Sequence, residues 1–277
     1  MAFIQMNIFS KSLMRTVPVN VVFPIDKLGA EDGTVKERKN YKTLYLLHGI
    51  LGNYMDWMVN TKIQRYAEEY DLVVVMPSGD NASYIDQETS HNYYGEFIGK
   101  ELVELTRNLF PLSCKREDTY IGGLSMGGYG AMRNGLKYHE TFGAIISLSG
   151  ALFVDRLSER NNETDNFIER RDFSEAIFGD LEKVVKSDKN PKVLVEQMID
   201  EGVKFPRIYL ACGTEDFLLD ANEDFRDFLN EKGIEITYES GKGAHEWDFW
   251  DAYIKRAIEW LQIEKSGLGI SSGNIGL

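Results

Sequence analysis

The stretch YIGGLSMGGYGAM, residues 120–132, decides how this chain folds, and it places five glycines around a single serine, Ser125. An apolar run leads into it, and apolar residues at helical spacing follow it. Glycine is costly inside a strand or a helix, because it loses more backbone freedom on folding than any other residue. A dense group of glycines here therefore indicates a sharp turn from a strand into a helix, where side chains have no room.

Strands and helices alternate along most of the chain. Candidate strands lie near residues 3–9, 16–23, 43–48, 72–77, 119–124, 144–149, 207–212 and 234–239. The first two are amphipathic, as in an antiparallel pair, whereas most later runs are almost entirely apolar, which is typical of parallel strands covered on both faces. Apolar spacings of three and four predict helices over residues 60–69, 96–109, 129–138, 221–231 and 249–261. The pattern predicts the α/β class, with a mostly parallel eight-stranded sheet and helices on both faces.

Two segments depart from this alternation. Residues 151–206 lie between two predicted core strands, are rich in charge, and are longer than a connection requires. We interpret them as a small cap inserted into one domain that spans residues 1–265. Residues 266–277, SGLGISSGNIGL, are rich in Gly and Ser, and we expect them to form a flexible tail.

The glycine-rich turn fits a catalytic motif. Gly123-Leu124-Ser125-Met126-Gly127 reads G-x-S-x-G at a strand-to-helix turn, the setting of a nucleophile elbow. The turn would present Ser125 and aim the Met126 N–H at a developing oxyanion. The alternative is a glycine-rich turn with a passive serine, but the strand-to-helix context favours the nucleophile.

A serine hydroxyl needs a base, and the chain has four histidines. His48 and His91 precede Ser125, whereas the hydrolase order is serine, acid, histidine. His139 falls at the end of the helix after the elbow, where a solvated position is the simpler interpretation. By elimination the base is His245, in the loop between the last strand and the last helix.

The orienting carboxylate should follow the penultimate strand. Asp216 comes directly after the run RIYLACG, at the strand end where site residues of α/β sheets collect. Asp220 is the reserve candidate, although its position suggests the N-cap of the next helix.

The loop after the third strand should supply the second oxyanion donor. Gly49 lets the backbone turn inward there, so we assign the donor to the Ile50 N–H and a bracing role to His48. Aromatic residues gather near these loops, and Trp57 and Trp247 are the candidate substrate-binding residues.

Composition narrows the function classes. A net charge of -13 disfavours nucleic acid and anionic membranes as partners, because phosphate binding needs clustered Lys and Arg. The two cysteines are far apart and no zinc-ligand spacing occurs, so we expect neither metal nor cofactor. The N-terminal region lacks signal-peptide and membrane-helix patterns, which favours a cytoplasmic protein. Whether copies associate as a homo-oligomer stays open.

With these residues assigned, the chain resembles the esterase D-like branch of the α/β-hydrolases, and most closely the tributyrin esterases of low-GC Gram-positive bacteria. The resemblance spans nearly the whole chain. It rests on LYLLHG-x-x-GN-x-x-x-W at 44–57, GLSMGGYGAM at 123–132, CGTEDFL at 212–218 and AHEWDFW at 244–250. It implies an α/β-hydrolase fold and a triad of Ser125, Asp216 and His245.

The resemblance implies hydrolysis of short-chain acyl esters by a serine carboxylesterase, with a small-molecule ester as its partner. Some relatives deacetylate carbohydrates or release feruloyl groups. S-formylglutathione hydrolases are related, but their elbow usually reads G-H-S-M-G-G-H-G, and Leu124 and Tyr129 replace its two histidines here. That thioesterase activity is the first alternative, and an acyltransferase using the same triad is the second.

Overall fold

The computed structural model describes residues 1–25 and 40–266. Its main sheet has eight strands in the order β1-β2-β4-β3-β7-β8-β9-β10, and β5 and β6 form a separate small hairpin. The strands are β1 (Ala2–Ser10), β2 (Arg15–Phe23), β3 (Lys42–Leu47), β4 (Leu72–Pro77), β5 (Asp86–Gln87), β6 (Asn92–Tyr93), β7 (Thr119–Leu124), β8 (Ala144–Leu148), β9 (Arg207–Gly213) and β10 (Ile236–Gly241). Strands β3, β4, β7, β8, β9 and β10 run parallel to one another, and β1 and β2 form the antiparallel entry. All eight predicted strands are confirmed.

Helices connect the strands. They are α1 (Asp56–Asn60), α2 (Ile63–Glu69), α3 (Tyr94–Glu96), α4 (Leu102–Leu109), α5 (Met126–Lys137), α6 (Arg171–Phe178), α7 (Leu181–Val184), α8 (Pro191–Asp200), α9 (Leu219–Glu231) and α10 (Trp247–Trp260). A π-helical turn, Phe97–Glu101, joins α3 to α4. No helix in residues 1–25 and 40–266 is long and apolar enough to cross a membrane.

The helix predicted over residues 60–69 begins later than expected, as α2 at Ile63. A separate short helix, α1, was not predicted and ends at Asn60, and the backbone of Thr61 between the two helices is extended. The Thr61 hydroxyl donates to the Trp57 carbonyl and accepts from the Ile63 N–H, so it ends α1 and begins α2. Local hydrogen bonding of this kind competes with a continuous helix.

The core lies on both faces of the sheet, as the apolar strands predict. Along β3, Leu44 and Leu46 pack into one buried cluster, whereas Tyr45 and Leu47 pack into the other. Each such side chain stabilises the fold by about 1.5–3 kcal/mol relative to an exposed one.

Parallel pairing brings the candidate loops to one edge of the sheet. β3 lies beside β7 with Leu47 opposite Gly123, and β8 lies beside β9 with Leu148 opposite Ala211. The carboxyl ends of these strands therefore meet, and the loops that follow them surround a common space.

Residues 151–206, interpreted above as an inserted cap, pack on α5, the helix that follows the glycine-rich turn. The buried Arg133 of α5 contacts the Asp188 carboxylate at 2.6 Å, and the Tyr129 hydroxyl donates to the Lys189 carbonyl at 2.6 Å. Of the predicted tail, residues 267–277 lie outside the described residues.

Candidate active site

Ser125 occupies the turn between β7 and α5 with φ 52° and ψ -118°. Positive φ is uncommon for a residue with a side chain, and such strain persists only where the surroundings impose it. A Cβ on Gly123 would lie 2.4 Å from the Gly127 carbonyl oxygen, and one on Gly127 would lie 2.5 Å from that of Leu47. Both positions therefore exclude any side chain, which explains the glycines flanking the serine.

Among the three residues of the candidate triad, His245 lies within hydrogen-bonding distance of both Ser125 and Asp216. His245 Nε2 is 3.0 Å from Ser125 Oγ, and His245 Nδ1 is 3.0 Å from Asp216 Oδ2. A hydroxyl, an imidazole and a carboxylate in this order can activate the hydroxyl for attack on a carbonyl. The reserve residue Asp220 does not take the N-cap position expected for it, because α9 begins at Leu219 and Asp220 lies inside its first turn.

The Asp216 carboxylate is buried, and both of its oxygens have hydrogen-bond partners. Its side chain is fully buried, and its Oδ1 accepts from the Leu218 N–H at 2.8 Å. Burial alone would raise the pKa of this carboxyl, but hydrogen bonds from His245, Leu218 and Ser149 hold its pKa below the ordinary value. The group is therefore an anion near neutral pH, able to orient and stabilise an imidazolium.

Ser149 and Trp250 support this side of the site, although neither is among the site residues predicted from the sequence. Ser149 follows β8, is fully buried and has φ 46°. Its hydroxyl accepts from Trp250 Nε1 at 3.0 Å, and the Trp250 ring meets the His245 ring edge-on at 4.9 Å. A single sequence gives no signal for this contact, because Ser149 and Trp250 are 101 positions apart. Each also lies in a stretch whose apolar residues are typical of the core.

The loop after β3 approaches Ser125 from the other side. A Cβ on Gly49 would lie 3.5 Å from the Ser125 Cβ, so the backbone there passes next to the serine. The Ile50 N–H donates to no acceptor within the described part of the chain. Met126 is the first residue of α5, where a helix leaves its N–H groups unpaired. Ile50 and Met126, the two predicted oxyanion donors, thus lie on either side of Ser125, and neither N–H group donates a hydrogen bond within the described part of the chain.

His48 braces this loop, as predicted. It is 1% exposed, its Nε2 accepts from the Gly79 N–H at 2.8 Å, and its Nδ1 lies 2.7 Å from the Gly49 carbonyl oxygen. Because Nε2 accepts, the ring proton resides on Nδ1 and donates to Gly49. Burial lowers the pKa of His48, with the Gly49 carbonyl opposing that effect, so the ring is neutral near neutral pH.

These loops enclose a cavity of about 460 Å³ at Ser125 and His245. Its other lining residues are Gly49, Ile50, Leu51, Gly52, Asp56, Leu124, Glu246, Trp247 and Trp250. Two of them are carboxylates, and none of the described lining residues is Lys or Arg. No residue of the insertion lines this cavity in the described part of the chain.

Of the two predicted substrate-binding residues, Trp247 lines the cavity and Trp57 does not. Trp57 is 1% exposed, and its Nε1 donates to the Leu47 carbonyl at 2.9 Å. Its ring packs edge-on against Trp247 at 5.5 Å. The expectation for Trp57 is therefore corrected: it supports the wall formed by Trp247 from behind.

The architecture is the α/β-hydrolase fold, and comparison with known proteins identifies the class. A family model described as "Putative esterase" matches residues 10–261, so the chain belongs to this esterase family. An acetyl esterase of Caldicellulosiruptor saccharolyticus is 43% identical over 261 residues, which cover 94% of this chain and 98% of that protein. The chain is a carboxylic ester hydrolase.

Two solved structures from Staphylococcus aureus share both sequence and fold. The fluorophosphonate-binding serine hydrolase F, FphF, is 34% identical with a TM-score of 0.81. The S-formylglutathione hydrolase FrmB is 34% identical with a TM-score of 0.80. Each comparison covers 94% of this chain and 98% of the other.

Proposed function

We propose that the protein hydrolyses short-chain acyl esters, acetyl esters foremost, through an acyl-enzyme formed on Ser125. The observation that carries this proposal is the continuous contact from Ser125 Oγ through His245 to the buried Asp216, with both links at 3.0 Å. The names of two relatives support it, since one is an acetyl esterase and the other a fluorophosphonate-binding serine hydrolase.

The positions of these groups support the following reaction. Ser125 Oγ attacks the ester carbonyl while His245 Nε2 accepts the hydroxyl proton and then delivers it to the departing alcohol oxygen. Asp216 accepts a hydrogen bond from His245 Nδ1–H and stabilises the imidazolium. The N–H groups of Ile50 and Met126 donate to the tetrahedral oxyanion, and water activated by His245 then releases the acid.

The cavity favours small substrates. At about 460 Å³ it is at the lower end of the usual range for ligand sites, and it has to hold both parts of the ester. Leu124, Trp247 and Trp250 supply apolar walls for a short acyl chain. Carbohydrate acetyl and feruloyl esters are the larger substrates worth testing, since their alcohol or acyl part would have to extend into solvent.

Hydrolysis of S-formylglutathione is the second candidate, because FrmB is 34% identical over 94% of the chain. Charge argues against it. Glutathione carries two carboxylates, whereas Asp56 and Glu246 line the cavity and no Lys or Arg of the described lining would pair with them. Like charges brought together in a partly desolvated site oppose binding.

The decisive experiment compares initial rates on p-nitrophenyl acetate, longer p-nitrophenyl esters, acetylated xylan, methyl ferulate and S-formylglutathione. We expect the highest kcat/KM for acetyl to butyryl esters and a lower value for S-formylglutathione. A preference for S-formylglutathione would replace the proposed substrate class with the thioester.

The nucleophile is tested separately. We expect Ser125→Ala to lower kcat by several orders of magnitude and to abolish labelling by a fluorophosphonate. Ser90→Ala is the matched control, because Ser90 is exposed and lies outside the cavity. Wild-type turnover or labelling in Ser125→Ala would refute the mechanism.

A further inference from the structure

The two edges of the main sheet differ in how they are protected. β10 is six residues long and carries Glu239, which pairs with Arg256 at 3.0 Å. β1 is nine residues long, hydrogen-bonds only to β2 within the described sheet, and contains no charged residue and no proline. Its pairing runs without a bulge from Ala2 opposite Phe23 to Ser10 opposite Arg15. Long, uncharged, regular edges are templates for pairing with another strand, and proteins ordinarily block them.

The sequence of β1 is nearly palindromic. Residues 3–9 read FIQMNIF, so that Phe3 corresponds to Phe9, Ile4 to Ile8, and Gln5 to the homologous amide of Asn7, with Met6 at the centre. An antiparallel pair of identical strands related by a two-fold axis at Met6 would place each residue opposite its counterpart.

Both faces of β1 are incompletely covered. Phe3 is 39% exposed and Phe9 is 62% exposed on one face. On the other face Ile4, Met6 and Ile8 pack against the core but are only partly buried. Opposite residues of paired strands lie on the same face, so a second β1 would set Phe9 against Phe3 and Ile8 against Ile4, extending both rows.

Charge selects the same edge. A chain of net charge -13 repels a second copy of itself over most of its surface. Contact between copies is therefore least opposed along a strand without charge, whereas at β10 the two copies would bring Glu239 near its own counterpart.

We propose that β1 is the docking site for a second copy of this chain, with the two β1 strands paired antiparallel about Met6. The two sheets then form one continuous sheet across a symmetric dimer. Phe3 packs against Phe9 of the other copy, and Gln5 faces Asn7 of the other copy.

The register predicts which substitutions separate the copies. In Gln5→Lys/Asn7→Lys, each dimer sets two lysines opposite two others at a Cβ spacing of about 4.5–5.5 Å. We expect the dimer dissociation constant, measured on the full chain by sedimentation equilibrium, to rise at least about tenfold, because like charges directly opposite one another destabilise strand pairing.

The matched variant is Gln5→Glu/Asn7→Lys. The same register now sets a carboxylate opposite each lysine, so we expect the dimer to persist and to weaken as salt is added. Positions 5 and 7 are exposed and lie outside the candidate cavity, so both variants should hydrolyse p-nitrophenyl acetate at the wild-type rate, which checks that they are folded.

Three results would overturn the proposal. The first is a wild-type chain that stays monomeric at high protein concentration. Slow hydrogen exchange along β1 in that monomer would show that another part of the same chain covers the edge. A Gln5→Lys/Asn7→Lys dimer as tight as wild type would place the contact elsewhere. Loss of the dimer in both double variants would refute the register. None of these results depends on which ester the enzyme prefers.

Discussion

Two loops flank Ser125, and each is organised by one histidine. On the side of β8, β9 and β10, His245 is bonded to the side chains of Ser125 and Asp216, and its own side chain is 21% exposed. On the side of β3 and β4, His48 is 1% exposed and its ring bonds to the backbone of Gly49 and Gly79. The same residue type thus links two side chains on one side and two backbone segments on the other.

The difference lies in what each ring nitrogen is free to do. His245 Nε2 faces the cavity and the serine hydroxyl, so its lone pair can receive a proton. The His48 Nε2 lone pair already accepts from the Gly79 N–H, and burial lowers the pKa of the ring. A buried ring with both nitrogens engaged orders the backbone and does not exchange protons with a substrate.

The largest expected effect on kcat comes from replacing His245. We expect His245→Gln to lower kcat by about five to six orders of magnitude, since removal of the base disables the serine. His48→Gln should cost far less, about tenfold, by loosening the loop that carries Ile50. Steady-state kinetics on p-nitrophenyl acetate measures both. Equal losses in the two variants would contradict the division of roles.

Ser149 gives a smaller effect on the acid–base side. Ser149→Ala and Ser149→Gly both remove the hydroxyl next to Asp216, and we expect kcat to fall about 10–100-fold with little change in KM, the cost of one hydrogen bond to a charged group. Ser149→Gly should unfold at a higher temperature than Ser149→Ala, because glycine adopts φ 46° without strain.

The two substitutions at Ser149 thereby separate the effect of losing the hydroxyl from the effect of backbone strain. If Ser149→Gly kept full activity while Ser149→Ala lost it, backbone strain and not the hydroxyl would be responsible. Thermal unfolding and kcat measured on the same preparations provide both readouts.

The smallest effect concerns the pH dependence of stability on the His48 side. An unfolded histidine titrates near pH 6.5, whereas burial lowers the pKa of His48 in the folded state. As the pH falls below about 6.5, the unfolded chain binds a proton that the folded chain does not, so folding is weakened.

His48→Gln removes this linkage. We expect a shallower decline of the unfolding free energy between about pH 6.5 and 5 than in the wild type, with a difference in slope of up to about 1.4 kcal/mol per pH unit. Urea denaturation across that range measures the slope. Parallel pH dependences of the two proteins would show that His48 does not contribute.

The sequence predicts the framework of the candidate site well. All-apolar runs identify the parallel strands, and G-x-S-x-G marks the turn at Ser125 because its geometry excludes side chains. Chain order and elimination lead to His245 and Asp216, which the fold brings within 3.0 Å of each other.

What the sequence could not predict depends on contacts between distant segments. Ser149 and Trp250 look like ordinary core residues until β8 and α10 are packed together. Trp57 lies close in sequence to the loop after β3, but its indole N–H donates to the Leu47 carbonyl inside the core. Proximity along the chain does not distinguish an aromatic residue that lines a cavity from one that lies behind its wall.

The insertion at residues 151–206 has a kinetic consequence. It packs on α5 and lines a separate cavity of about 350 Å³ with residues 87–89, and none of it borders the space above Ser125 in the described part of the chain. Turnover in many enzymes is limited by a segment that has to open before products leave. No described residue of 151–206 lines the cavity at Ser125, so we expect the proposed products to leave without a movement of this segment. Changes in its length should then leave the turnover rate unaltered.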